Sequence, residues 1–159
     1  MKFISGGPEL PEPHSTVRLE SWTGWSEAAG RFGGTALYSI RFDAPPSKAT
    51  AWTLDLGDVR ESARVRLNGR ELGTVFMRPF TLRADGLKPR GNLLEVEVTS
   101  LAANRIRDMD VRKAPWKIFH DINFVGTDYK PFDASKWPVR DSGLLGPVVL
   151  SALEAFTPR

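Results

Sequence analysis

The sequence contains no cysteine. That absence excludes disulfides, thiolate zinc sites and cysteine nucleophiles together. Its two histidines, His14 and His120, are too few for a histidine-rich metal centre. No apolar stretch approaches the ~18 residues of a membrane-spanning helix, and no membrane partner is expected. Met1-Lys2-Phe3-Ile4 runs straight into Ser5-Gly6-Gly7-Pro8, so no signal-peptide core is visible. Charge of one sign is also scarce. The net charge is +3, the pI is near 9.4, and the basic residues are spread along the chain. Such a balance permits an anionic glycan or a nucleic acid and demands neither. Helical periodicity is missing as well, because no segment keeps a 3.6-residue period over roughly ten residues.

What remains is strand-like. The 159 residues fit one domain, and a chain of this size buries roughly 70% of its unfolded surface without staples. Aromatics make up 10%, with 14 glycines and 12 prolines as punctuation. Short runs between turn residues favour a β-sandwich or barrel. Residues 1–15, with Pro8, Pro11 and Pro13, read as an extended arm or linker ahead of one domain over 16–159. Thr16 to Trp22 alternates as a first strand, and Thr23 to Gly34 reads as a loop.

Ala36, Tyr38, Ile40 and Phe42 then alternate with polar neighbours, and Trp52, Leu54 and Leu56 repeat the pattern. Ala63, Val65 and Leu67 lead into Asn68-Gly69, a hairpin signal because both residues accept positive φ. The return strand is expected near Arg70 to Phe76, and a short strand near Pro79 to Leu82. Leu94, Val96 and Val98 face inward, with Glu95 and Glu97 outward. On a neighbouring strand these glutamates would face Arg64 and Arg66. Gly146 to Phe156 reads as the last strand. Residues 100–145 are long, aromatic and irregular, a pattern common in functional segments.

Several stretches occur in a telling order. They include Gly6-Gly7-Pro8-Glu9-Leu10-Pro11, Leu54-Asp55-Leu56-Gly57-Asp58-Val59, Asn68-Gly69-Arg70-Glu71-Leu72-Gly73 and Pro79-Phe80. Gly91 to Val98, Asn104-Arg105-Ile106-Arg107-Asp108 and Ser142-Gly143-Leu144-Leu145-Gly146-Pro147-Val148 follow. Together they resemble the jelly-roll sugar-binding domain of glycoside hydrolase family 2. They are most similar to the C-terminal version in family 106 α-L-rhamnosidase-like proteins. The resemblance implies an all-β, galactose-binding-like jelly-roll β-sandwich of about eight or nine antiparallel strands. It implies an extracellular or periplasmic bacterial setting, and catalytic carboxylates in another domain of a parent hydrolase. In several relatives an acidic residue two places before the last loop Trp shapes a sugar or ion site; here Ser135 stands there, before Trp137.

The candidate ligand-binding residues are Trp22, Trp25, Asn104, Arg105, Asp108, Trp116, Tyr129 and Trp137. A pyranose lays its C–H face on an indole or phenol ring. Burying about 100 Å² in this way yields roughly 2.5 kcal/mol, enough for weak binding with a few hydrogen bonds. Arg and Asn are planar donors suited to adjacent hydroxyls or a uronate carboxylate. The alternative is structural: the aromatics plug the sandwich, and the polar cluster anchors a loop by ion pairs. Calcium, which this fold admits, needs six to eight oxygens. Asp108-x-Asp110 is far from such a loop, so no cofactor is assigned. No serine elbow, phosphate loop or zinc-protease motif appears. Arg105, Arg107, Arg112 and Lys113 before Trp116 read as a solvated face rather than a nucleic-acid groove. The expected function is therefore non-catalytic carbohydrate binding beside a hydrolase's catalytic domain. The alternative is an accessory domain that buttresses that enzyme and binds no sugar alone.

Overall fold

The computed structural model describes residues 1–47, 49, 51–119 and 125–153. The fold is an all-β sandwich of antiparallel sheets that do not close into a barrel. Its larger sheet takes β1 (Lys2–Gly7), β2 (Gly33–Phe42), β5 (Ser62–Leu67), β6 (Arg70–Val75) and β8 (Asn92–Thr99), in the order β1-β2-β8-β5-β6. The smaller sheet takes β3 (Ala51–Asp55), β7 (Thr81–Asp85) and β10 (Val149–Ala152), in the order β10-β3-β7. A two-stranded piece pairs β4 (Asp58–Arg60) with β9 (Gly143–Gly146). The two α-helices among the described residues are short, α1 (Glu27–Arg31) and α2 (Ala103–Val111), and Trp22–Gly24 makes one 3-10 turn.

The period-two pattern places the core. Ala36 and Tyr38 on β2, Ala63, Val65 and Leu67 on β5, and Leu94, Val96 and Val98 on β8 are all buried. Trp52, Leu54 and Ala84 close over them from the smaller sheet. Asn68 (φ 53) and Gly69 (φ 81) make the hairpin between β5 and β6, as both positive φ values require. On the outer face Arg64 stands opposite Glu97 and Arg66 opposite Glu95. Arg66 reaches diagonally to Glu97 at 2.6 Å, while Arg64 turns to Glu71 at 2.5 Å.

The structure corrects the reading of the two ends. The expected arm over 1–15 contains β1, which pairs with β2 from Lys2↔Leu37 to Gly7↔Gly33. Glycine is required where these strands pass: a Cβ on Gly34 would stand 2.2 Å from the Ser5 carbonyl oxygen. Thr16 to Trp22 forms no strand. Its alternation is local, with Thr16 Oγ1 accepting from the Arg18 N–H at 3.0 Å. The expected loop over 23–34 holds α1, capped where Ser26 Oγ accepts from the Ala29 N–H at 3.1 Å. At the other end the last strand, expected from Gly146, starts only at Val149 as β10, and Gly146 instead ends β9, where it takes φ 69 ahead of Pro147, which gives no N–H. The remainder of that expected strand, to Phe156, lies outside the described residues. The strands number ten among the described residues rather than eight or nine.

Asn92 ties the sheet to its neighbouring loop. It is fully buried, and its Oδ1 accepts from the Lys88 N–H at 2.8 Å and from Asn68 Nδ2 at 3.0 Å. Its Nδ2 donates to the Lys88 carbonyl at 2.8 Å. Leucine there would leave these groups without partners, at about 1–3 kcal/mol for each orphan. Urea titration of Asn92→Leu is expected to show a total loss of about 2–3 kcal/mol with the m-value unchanged.

Candidate functional site

The irregular stretch over 100–145 is organised by α2. Nine residues are too few to display a helical period against a polar background, which hid this helix in the sequence. Its start packs against β2: a Cβ on Gly33 would meet the Cα of Ala102 at 3.2 Å and the Cβ of Arg105 at 3.3 Å. Gly33 therefore lets the helix approach the sheet.

From α2 the side chains go separate ways. Asn104 points inward and is buried. Its Oδ1 accepts from the Arg140 N–H at 2.8 Å, and its Nδ2 donates to the Arg140 carbonyl at 2.7 Å and to Ser142 Oγ at 3.3 Å. Asn104 is thus a loop anchor that fixes the chain entering β9. Arg105 is exposed and lays its guanidinium over Gly7, whose added Cβ would sit 3.0 Å from Cζ. Asp108 accepts from Arg112 at 2.8 Å, and Arg112 also reaches Glu27 at 2.8 Å. Arg31 continues that chain of charges to Glu27 at 2.7 Å and to Glu9. Asp108 is therefore held in an ion-pair network joining α1 and α2.

Asp110 carries the remainder of the lobe. Its side chain is only 5% exposed. One oxygen accepts from the Trp116 indole at 2.8 Å and from the Lys117 ammonium at 2.9 Å. The other accepts from the Ala134 N–H at 2.7 Å. Burial alone pushes this carboxyl up, but the Ala134 N–H, Lys117 and Trp116 together bring it below the usual carboxylate range. Lys117 also donates to the Phe132 carbonyl at 2.7 Å and lies 5.6 Å from the centre of the Trp116 ring. Phe132 stands edge-on to Trp116 at 6.2 Å and to Trp137 at 5.5 Å. Arg107 closes the arrangement, donating from Nε to the Trp137 carbonyl at 2.8 Å.

The eight sequence candidates therefore divide. Trp22 is fully buried in the core, edge-on to Phe3 at 5.4 Å and to Phe32 at 6.0 Å. It plugs the sandwich and offers no face to a ligand. Trp25 is half-buried, stacked on His14 at 4.1 Å, and its indole donates to Glu20 at 3.0 Å. Trp116 is half-buried in the lobe. Tyr129 is 81% exposed at a tight turn (φ 58), and Trp137 is 39% exposed. The contacts above join Trp116 and Trp137 through Phe132, with Arg107 alongside, while Trp22 and Trp25 belong elsewhere. Sequence reading passed over Lys117, Phe132 and Arg107 as a set. The available signal was the spacing of Arg107 and Asp110, three apart and so neighbours on a helix. His120 and its neighbour Asp121 lie outside the described residues.

Comparison with known proteins places this geometry. A protein named β-glucuronidase from Formosa agariphila is 33% identical over 161 residues, covering 86% of this chain and 14% of that protein. The rhamnosidase of Novosphingobium sp. PP1Y superposes with a TM-score of 0.67 at 28% identity, over 85% of this chain and 12% of that one. The chain is similar to one part of large glycoside hydrolases. It spans only 14% of the length of the curated relative it matches. A family 2 β-galacturonidase from Eisenbergiella tayi shares the fold, with a TM-score of 0.57, 19% identity, and 96% of this chain against 22% of that one. No family model matches the chain.

Among the described residues no group of three or more histidine, aspartate or glutamate side chains is arranged to hold a metal ion. No described helix is long and apolar enough to cross a membrane.

Proposed function

We propose that this chain is a non-catalytic accessory domain of a multidomain glycoside hydrolase, meeting glycan through the lobe that α2 supports. The observation that carries the reading is Trp137, part-exposed, with its ring edge-on to Phe132 and its backbone carbonyl held by the Arg107 hydrogen bond. A ring held in place costs little entropy when a sugar stacks on it. The carboxylates of α2 are already engaged, Asp108 by Arg112 and Asp110 by three donors, so neither is a free acid or base. That supports a non-catalytic role. The comparison proteins are named for a glucuronide, a galacturonide and a rhamnoside. The favoured ligand is accordingly a uronate- or rhamnose-containing chain, with Arg107, beside Trp137, as the donor assigned to a uronate carboxylate. The parent enzyme's catalytic domain is the second partner, and an extracellular or periplasmic setting follows from the same analogy.

A second reading has its own support. Phe76 and Met77, 72% and 67% exposed, form an apolar tip after β6, suited to packing on a larger protein. In that reading the domain is a buttress without sugar affinity.

Affinity electrophoresis through pectic and uronic-acid polysaccharides separates the two. Trp137→Ala is expected to weaken retention about tenfold, the loss of one stacked ring, with an unchanged thermal transition. Absence of retention on every polysaccharide would leave the buttress reading standing alone.

A further inference from the structure

The sandwich is not filled between its sheets. A cavity of about 580 Å³ opens there, within the roughly 300–1,000 Å³ span of small-molecule sites. Leu54, Leu67, Leu94 and Leu150 are among the side chains that wall it, and Ile40 and Arg18 stand at its lining as exposed residues. It shares no residue with the α2 lobe, so it is a separate site. The cause lies in the topology: three strands face five, so Ile40 points inward from β2 yet stays 60% exposed.

Polar side chains interrupt the apolar lining at Thr16, Arg18, Tyr38 and Ser39, and of these Arg18 alone carries a charge. Arg18 makes no ion pair among the described residues. The Thr16–Arg18 turn, where the Thr16 hydroxyl donates to the Arg18 carbonyl at 2.6 Å, fixes its backbone. The Tyr38 hydroxyl accepts from the Leu144 N–H at 3.2 Å, and its own proton finds no acceptor among the described residues. Leu19, next to Arg18, lies against Gly146, and the Tyr38 hydroxyl lies against Gly143, so the Arg18 stretch and Tyr38 both approach β9. The far wall, Leu67 with Leu94, is apolar throughout.

We propose that this cavity binds a single-chain alkyl carboxylate, its tail between the sheets and its carboxylate on Arg18 and the Tyr38 hydroxyl. Charge complementarity selects the head, because Arg18 is the one charged side chain in the lining and has no ion-pair partner among the described residues. The wall selects the tail, since each buried methylene adds to affinity.

Isothermal calorimetry with octanoate, decanoate and 1-octanol tests the assignment. Decanoate is expected to bind one equivalent, about tenfold or more tighter than octanoate from its two added methylenes. Octanoate is expected to bind about tenfold tighter than 1-octanol, a difference that Arg18→Gln removes. Ile40→Trp, at an exposed position, is expected to block binding while circular dichroism stays unchanged. Absence of saturable heat with decanoate would overturn the proposal. So would equal affinity for octanol and octanoate in the unmodified protein, or undiminished binding by a folded Ile40→Trp.

Discussion

Trp22→Ala is expected to lower stability by about 3–5 kcal/mol, enough to leave much of the chain unfolded at 37 °C. The indole is fully buried between Phe3 of β1 and Phe32, and it also packs on the Gly143 backbone of β9, so its loss opens a void where three parts of the chain meet. Trp22→Phe is expected to cost much less. The indole N–H has no hydrogen-bond partner among the described residues, so phenylalanine gives up packing but strands no polar group. Guanidinium unfolding of the two variants checks the ordering. Equal losses would mean that the N–H, rather than the ring volume, matters at this position.

Asp110→Ala is expected to cost about 2–4 kcal/mol and to loosen the aromatic lobe while leaving the sheets intact. The substitution removes the acceptor of the Ala134 N–H and the counter-charge of Lys117 in one step. Hydrogen exchange would locate the damage, with faster exchange over residues 125–137 and unchanged protection in β5 and β8. Acid titration supplies an independent check. The folded-state pKa of Asp110 lies below its ordinary value of 3.8, so its stabilisation is present above that value. It is then lost as pH falls through the lower, folded value. Wild-type protein is expected to lose stability below about pH 4 more steeply than Asp110→Asn, which has no proton to take up. Parallel acid curves would remove Asp110 from this role.

The central sheet was legible because its rule is local. Tyr38, Val65 and Val96 obey an alternation that one inner face imposes, and Asn68-Gly69 names its own turn. The outward arginines and glutamates found each other because register follows from that same alternation. The ends were less legible, for a physical reason. Thr16 to Trp22 alternates like a strand but has no strand partner, whereas β1 looks like a linker yet finds one in β2. Pairing is a long-range property that no single segment declares.

The site was half visible. Asn104, Arg105, Asp108 and Asp110 drew attention as a polar cluster, and the structure places them on one helix. It also turns Asn104 inward and ties Asp108 to Arg112. A sequence gives residue types, but which face of a helix they occupy depends on what the helix leans against. Here that is the Gly33 backbone, 3.2 Å from the Ala102 Cα measured from a glycine's missing Cβ. Trp22 and Trp137 look alike as letters beside turns. One lies under two phenylalanines and the other against a single one at the rim.

The five tryptophans make the account directly measurable. Their indole N–H signals, assigned by single Trp→Phe replacements in ¹⁵N-labelled protein, would be followed during titration with uronate- and rhamnose-containing oligosaccharides. The predicted result is a saturable shift of the Trp137 signal, a smaller one at Trp116, stationary signals from Trp22 and Trp52, and no new reducing ends. Shifts confined to the core signals, five stationary signals, or release of sugar by the isolated chain would contradict it.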